Sequence, residues 1–229
     1  MKILIVEATE KEVKPLIKLF EKSTEFWYEN SLWSSEIHDI RILYTGIGIV
    51  ATSYKLTKEL QQKKYDLVIN AGICGSYSNG LEIGAVVKIN QDTFIDLGLE
   101  NENTFTSIFE TSLSDKDEAP FSNGWIQSHG TNSSRTFNFL PSVNGGTAST
   151  VSGSYNTIKK IQKHFDVDIE SMEGAACYYV CALENIQHIA IRSVSNYVKP
   201  RKENQWDFEL SVNNLAKVLF TIIQELNED

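Results

Sequence analysis

Basic residues and cysteines are both scarce in this chain of 229 residues. Lys and Arg number 21 against 30 Asp and Glu, which leaves a formal net charge of −9. Nucleic acids and anionic membranes bind basic surfaces, so this charge argues against both as partners. The three cysteines are an odd number, which is typical of a reducing compartment. Cys177 and Cys181 lie one helical turn apart, but no second Cys or His pair has the spacing of a zinc site, so we expect core thiols.

Long apolar runs are also missing. The first residues, Met1–Val6, are apolar but meet Glu7 at once, and they are too few for a signal peptide or a membrane span. We therefore expect a cytoplasmic protein that begins with a buried strand. The sequence shows no internal repeat, low-complexity tract or linker, and its length fits one α/β domain over residues 1–229.

Apolar patterning predicts strands and helices in alternation. The expected strands are 2–6, 33–38, 41–44, 65–70, 85–90, 147–151, 168–171 and 188–194, and the expected helices are 10–22, 50–62, 156–164, 174–183 and 210–226. Such alternation predicts a three-layer α/β/α sandwich with a mixed central sheet. From about 100 to 145 the chain is rich in Asn, Ser, Thr and Gly with scattered aromatics, which predicts a long, loop-rich insertion that lies over a functional site and serves an oligomer contact.

Two polar residues follow buried strands. Glu173 precedes a helix that opens with the small residues Gly174–Ala176, and Asn196 ends the strand 188–194. Ligands of open α/β sheets bind at the carboxyl ends of strands, so we expect both side chains to face one pocket. A carboxylate suits ribose hydroxyls, and an amide suits a purine edge. Glu173 is costly to bury unless it is used or paired, whereas Asn196 could also cap the turn that follows it.

Glycine pairs follow two other strands. Gly46–Ala51 reads GxGxxA, but the acid that a dinucleotide site needs about 20 residues on is missing, because Asp66 starts the next strand and Asn70 ends it. We expect a tight turn beside the pocket rather than a nicotinamide site. Gly72 and Gly75 indicate either a plain strand-to-loop turn or a close approach of the backbone to a ligand.

Six segments, in this order, resemble the purine nucleoside phosphorylase and nucleosidase superfamily, and within it most closely the futalosine hydrolases. They are residues 5–13, 70–75, 94–98, 151–154, 171–176 and 195–201. The resemblance covers nearly the whole chain and favours the close approach at Gly72 and Gly75. It implies a nucleoside phosphorylase-like fold, a small-molecule nucleoside substrate, no metal or organic cofactor, and a homo-oligomer of two or more chains.

The resemblance also implies roles for particular residues. Glu12 has the place of the acid that activates water in related nucleosidases, although by itself it indicates a solvated acid in the first turn of a helix. Glu173 would grip the ribose and favour an oxocarbenium-like sugar. Asn196 stands where adenine-specific nucleosidases have an Asp that protonates N7, and phosphorylases of 6-oxopurines use Asn there, which points to a hypoxanthine base. Candidate substrate-binding residues are Ala8, Ile73, Gly75, Phe94, Leu97, Val151, Ser152, Met172 and Ser195.

Met172 would pack under the sugar ring, and Phe94 and Leu97 would contact an aromatic tail of the substrate. The implied reaction is hydrolysis of the N-ribosidic bond of futalosine to hypoxanthine and dehypoxanthine futalosine, in menaquinone biosynthesis. Three alternatives remain. A nucleosidase for 5′-methylthioadenosine, S-adenosylhomocysteine or aminodeoxyfutalosine is disfavoured by Asn196. A purine nucleoside phosphorylase needs a cationic phosphate pocket, for which Arg192 is an isolated candidate. A non-catalytic nucleoside-binding protein would not need both Glu12 and Glu173.

Overall fold

The computed structural model describes residues 1–101, 104–129, 135–203 and 205–226. The strands are β1 (Lys2–Glu7), β2 (Trp27–Glu29), β3 (Leu32–Ser34), β4 (Asp39–Tyr44), β5 (Leu67–Ser76), β6 (Val86–Phe94), β7 (Gly98–Glu100), β8 (Phe105–Ser107), β9 (Ile126–Gln127), β10 (Ser142–Thr147), β11 (Ile169–Ser171) and β12 (His188–Tyr197). The helices are α1 (Glu10–Lys22), α2 (Ile49–Gln62), α3 (Tyr155–His164), α4 (Gly174–Leu183) and α5 (Phe208–Glu225). Within the described ranges, no helix is long and apolar enough to cross a membrane.

The main sheet is mixed and closes on itself in part. Its order is β11-β10-β6-β12-β5-β1-β4-β3-β2, with β9 beside β6, and β11 also pairs with β5. β5 is long enough to take two partners on one edge: its first half pairs with β1 up to Asn70, and its end pairs with β11 at Gly75 and Ser76. The mixed sheet agrees with the sequence prediction, but it forms a partly closed barrel where the central layer of a three-layer α/β/α sandwich was expected.

Helices cover both faces of the sheet around β1, because its side chains alternate. Ile3 and Ile5 join a core cluster with residues of α1 and α5. Leu4 and Val6 face the opposite way and join a cluster with α2 and α4. Cys177 and Cys181 lie in this second cluster, buried as the sequence predicts for core thiols.

Strand boundaries differ from the prediction where neighbouring strands override local propensity. β5 runs on to Ser76, so Gly72 and Gly75 lie inside a strand and not in a turn after it. β10 ends at Thr147, where a strand was expected to begin, and residues 148–151 are loop. The strand Trp27–Glu29 was not predicted.

The segment 100–145 contains the short strands β8 and β9 and single turns of 3-10 helix at Ile108–Glu110 and Arg135–Phe137. Its aromatic side chains make contacts of their own: the rings of Phe109 and Phe121 are 4.8 Å apart, and Phe121 is 5.8 Å from Tyr179 of α4. Residues 102, 103 and 130–134 of this segment lie outside the described residues.

Candidate active site

The carboxyl ends of β1, β5, β11 and β12 surround a cavity of about 410 Å³. It is lined by Ala8, Thr9, Lys11, Glu12, Ile47, Ile73, Cys74, Gly75, Val151, Ser152, Glu170, Ser171, Met172, Glu173, Ser195, Asn196, Val198, Trp206 and Phe208. The three residues expected to act in catalysis therefore lie in one cavity. Seven of the nine expected substrate-binding residues join them, namely Ala8, Ile73, Gly75, Val151, Ser152, Met172 and Ser195.

Phe94 and Leu97 do not line this cavity, so their contact with an aromatic tail of the substrate stays a prediction. Phe94 packs against a core cluster, with its ring 6.4 Å from that of Phe121. Leu97, which follows β6, is exposed. The described residues of segment 100–145 do not line the cavity either. They give no support to the expectation that this segment lies over the site.

Glu173 immediately precedes α4, and its side chain reaches the glycine turn before α2. Its Oε1 accepts a hydrogen bond of 2.9 Å from the backbone N–H of Gly48. Gly48 has φ of 92° and Gly46 has φ of 84°, so the turn needs glycine at both positions. The GxGxxA segment thus positions a carboxylate. Burial raises the pKa of Glu173, while the Gly48 N–H and the nearby Arg192 charge act in the opposite direction.

Glu12 is 8% exposed, so it is not the solvated helix acid that its position in α1 could also indicate. Its carboxylate accepts from Thr9 Oγ1 at 2.8 Å and from the backbone N–H of Ile73 at 3.4 Å. A Cβ on Gly72 would lie 3.3 Å from Glu12 Oε1. The glycine therefore makes room for a carboxylate of the site, which explains why the strand lacks a side chain there.

Asn196 follows a register shift in β12 that lies between Val194 and Asn196. Its Oδ1 accepts from Ser195 Oγ at 2.8 Å, and its Nδ2 donates to the carbonyl of Tyr197 at 3.1 Å. An amide nitrogen carries two hydrogens, so among the described residues one N–H is left for a ligand. A Cβ on Gly75 would lie 2.9 Å from Val198 Cγ2 and 3.2 Å from Asn196 Nδ2, so glycine at this position lets both side chains pack against β5.

Arg192 does not line the cavity. It is 1% exposed, and its guanidinium donates to both Asn70 O, at 2.8 Å, and Asn70 Oδ1. Its terminal nitrogens are thus committed to β5, which argues against the one candidate phosphate ligand that the sequence offered. Glu7, near Arg192, is fully buried. Burial, and after it the charge of Glu12, raises the pKa of Glu7 well above its ordinary range.

Sequence reasoning missed several lining residues. Glu170 is an acid in a short strand that is buried throughout, and the argument that singled out Glu173 would have found it. Trp206 and Phe208 are half-exposed aromatics at the rim, where α5 begins. A large aromatic pair just before a helix was the available signal. No feature of the sequence indicated that Ile47, in the glycine turn, would line the cavity.

Comparison with known proteins agrees with this geometry. The phosphorylase superfamily matches residues 2–226, and the chain belongs to it. The 5′-methylthioadenosine/S-adenosylhomocysteine nucleosidase of Haemophilus influenzae strain 86-028NP is 28% identical over 207 residues, 86% of each chain. A futalosine hydrolase of Streptomyces coelicolor is 26% identical over 151 residues, 64% of this chain and 60% of that one.

Solved structures show the same fold. The crystal structure of a Helicobacter pylori MTAN mutant with 5′-methylthioadenosine in the active site superposes with a TM-score of 0.79 at 22% identity, over 98% of this chain and 99% of that one. The chain thus has the nucleoside phosphorylase-like α/β fold with a mixed sheet. It is an N-glycosyl hydrolase, a nucleosidase that acts on N-ribosidic bonds.

Proposed function

We propose that the substrate is a hypoxanthine nucleoside and that the enzyme is a futalosine hydrolase, which releases hypoxanthine and dehypoxanthine futalosine. Asn196 carries this proposal. It lines the cavity, and its two internal hydrogen bonds leave one amide N–H for a ligand. An amide N–H can donate to the N7 and O6 acceptors of a 6-oxopurine. The match to a Streptomyces coelicolor futalosine hydrolase supports the same substrate.

The two carboxylates divide the remaining chemistry. Glu12, oriented by Thr9 and by the Ile73 amide, takes a proton from the attacking water. Glu173, oriented by Gly48, accepts hydrogen bonds from the ribose hydroxyls and stabilises positive charge on the sugar as the bond to the base breaks. Asn196 stabilises the negative charge that develops on the departing hypoxanthine.

Water rather than phosphate is the nucleophile in this proposal. Among the described residues that line the cavity, Lys11 is the one basic side chain. Phosphate sites are usually built from several cationic or backbone donors. Arg192 does not add to them, because its terminal nitrogens donate to the sheet and to Asn70.

The test is incubation of the enzyme with futalosine, inosine and 5′-methylthioadenosine, with and without phosphate, followed by measurement of the free base. We expect hypoxanthine release from futalosine without phosphate, with inosine a much poorer substrate. Ribose 1-phosphate products or a strict need for phosphate would identify a phosphorylase. Preferred release of adenine from 5′-methylthioadenosine would identify the second candidate, which the Haemophilus influenzae relative favours.

A further inference from the structure

Glu170 and Asn196 lie on the two strands that flank the end of β5, because the sheet closes there. In the β5–β11 pairing Glu170 lies opposite Gly75, and in the β5–β12 pairing Asn196 lies opposite the same glycine. Residues paired in this way point to the same face of a sheet, and neighbouring strands are about 4.8 Å apart. The two side chains therefore lie on either side of Gly75, and all three residues line the cavity.

Glu170 is 5% exposed, and its carboxylate accepts three hydrogen bonds. Tyr77 Oη donates to its Oε2 at 2.6 Å, and Ser152 Oγ donates to the same atom at 2.5 Å. The backbone N–H of Ser152 donates to Oε1 at 2.8 Å. Burial, and after it the charge of Glu170, raises the pKa of Tyr77, which keeps the phenol protonated as a donor.

These hydrogen bonds decide which donors and acceptors the side of the cavity formed by Glu170 and Ser152 presents to a ligand. A carboxylate can only accept, so the hydroxyl protons of Ser152 and Tyr77 both point at Glu170. The Ser152 N–H, which could otherwise serve an acceptor atom of a base, is committed as well. Ser152 Oγ and Glu170 Oε1 are left with lone pairs alone. This wall of the cavity is thus built of acceptors, while Asn196 offers an N–H.

We propose that Glu170, together with the Ser152 hydroxyl that it orients, selects the base by accepting the N1–H of a 6-oxopurine. The inference rests on the proposed function, since it takes the cavity to hold a purine nucleoside. A 6-oxopurine carries a hydrogen on N1, whereas N1 of a 6-aminopurine is a bare acceptor and would face lone pairs. Glu170 is thereby a specificity-determining residue, distinct from the residues that act on the ribosidic bond.

Replacing Glu170 with Gln should change this wall without changing its size. The Gln amide nitrogen would donate to a hydroxyl oxygen, which frees a hydroxyl proton to turn toward the ligand. We propose to measure binding of hypoxanthine, 1-methylhypoxanthine and adenine by calorimetry, to the wild type and to Glu170→Gln. Wild type should favour hypoxanthine over 1-methylhypoxanthine by about 10- to 100-fold, the range for one unpaired buried polar group.

In Glu170→Gln that preference should shrink to within a few-fold, and binding of adenine relative to hypoxanthine should rise. If the methyl group is rejected by its bulk alone, the variant will keep the wild-type preference, and the inference is overturned. Glu59→Gln is the matched control, because Glu59 is also buried and accepts from a tyrosine hydroxyl, Tyr65 Oη, at 2.5 Å, but does not line the cavity. It should keep the wild-type preference.

The outcomes separate the two proposals. If the wild type releases no base from any nucleoside, the proposed function fails, and the binding ratios still decide the role of Glu170. If the wild type hydrolyses futalosine but Glu170→Gln keeps the wild-type ratios, only this inference fails. Should Glu170→Gln not fold by circular dichroism, Ser152→Ala takes its place, and an unchanged preference there overturns the inference. Absence of hypoxanthine binding to the wild type at millimolar concentration overturns it too.

Discussion

The two ends of the Asn196 side-chain amide have different hydrogen-bond partners, a donor at the oxygen and an acceptor at the nitrogen. Ser195 Oγ donates to Oδ1, while the Tyr197 carbonyl, which can only accept, receives a hydrogen bond from Nδ2. The carbonyl therefore fixes which end of the amide is nitrogen. A carboxylate at this position would place an oxygen against that carbonyl and would remove the N–H that is left for a ligand.

Asn196→Asp should accordingly reverse the choice of base. An ionised Asp meets O6 of hypoxanthine with lone pair against lone pair, which costs roughly 1–3 kcal/mol, or about one to two decades in the specificity constant. An adenine edge has a 6-amino donor that Asp accepts. We expect a lower specificity constant for futalosine and a relative gain for its 6-amino analogue, measured for both nucleosides in both proteins. Asn138→Asp, at an exposed position, is the control, and an unchanged ratio in Asn196→Asp would show that residue 196 does not read the purine.

Glu12→Gln should lower turnover by about 10²- to 10⁴-fold, the range for loss of a general base. Substrate binding should persist, since the amide is nearly isosteric and still accepts from Thr9. Single-turnover rates and equilibrium binding separate the two effects. Glu10→Gln, at the exposed first position of α1, is the control and should keep wild-type rates. Wild-type turnover in Glu12→Gln would assign the water-activating role to another acid.

The turn between β4 and α2 links two distant elements of the site. Gly46 N donates to Ala8 O at 3.0 Å, and Gly48 N donates to Glu173 at the start of α4. Gly48 has φ of 92° and ψ of 168°, a region that is essentially restricted to glycine. A Cβ there would meet no atom within 4 Å, so any cost of a side chain is a backbone cost.

Gly48→Ala should therefore lower the free energy of unfolding by about 1–3 kcal/mol, the cost of this backbone region for a residue with a Cβ. It should also lower the specificity constant, because the N–H that orients Glu173 moves as the turn relaxes. Denaturant unfolding and kinetics well below the melting temperature measure the two separately. Gly80→Ala, in an exposed turn without a positive φ, is the control. A folded variant with wild-type kinetics would show that the Gly48 N–H does not matter to Glu173.

The molecule as a whole buries acids close to its site, and this makes its stability depend on pH. Asp92 is 1% exposed, accepts from Thr147 Oγ1 at 2.9 Å, and has no partner for Oδ2 among the described residues. Burial raises its pKa to about 7 from 3.8. Between these two values the native state holds a proton that the unfolded chain has lost, so this group's contribution to the free energy of unfolding falls as pH rises from about 4 to about 7.

Asp92→Asn removes that titration. The free energy of unfolding of the variant minus that of the wild type should increase from pH 4.5 to pH 7.5, by on the order of 1–4 kcal/mol. Urea unfolding of both proteins at intervals across this pH range measures the two free energies. Their difference removes the contributions of the other titrating groups, which the two proteins share. A difference independent of pH would show that Asp92 has an ordinary pKa in the native state.

The sequence by itself determined the alternation of strands and helices, the buried acid Glu173 and the amide Asn196 at a strand end. These depend on near neighbours: apolar periodicity is local, and a charge between small and apolar residues stands out in the sequence. Glu170 carried the same local signal. Glu12 did not, since its position in α1 fits a solvated acid equally well and its role came from resemblance alone.

Tertiary structure decided the rest, because the deciding contacts join residues far apart in the chain. Glu173 meets Gly48 across 125 positions, and Glu12 meets Ile73 across 61. The second pairing of β5, with β11, sets Glu170 beside Gly75, with Asn196 on the other side of that glycine, and no local pattern indicates which edge of a long strand a short one will join. The packing of Phe94 onto Phe121, away from the cavity, is likewise a contact that only the folded chain defines.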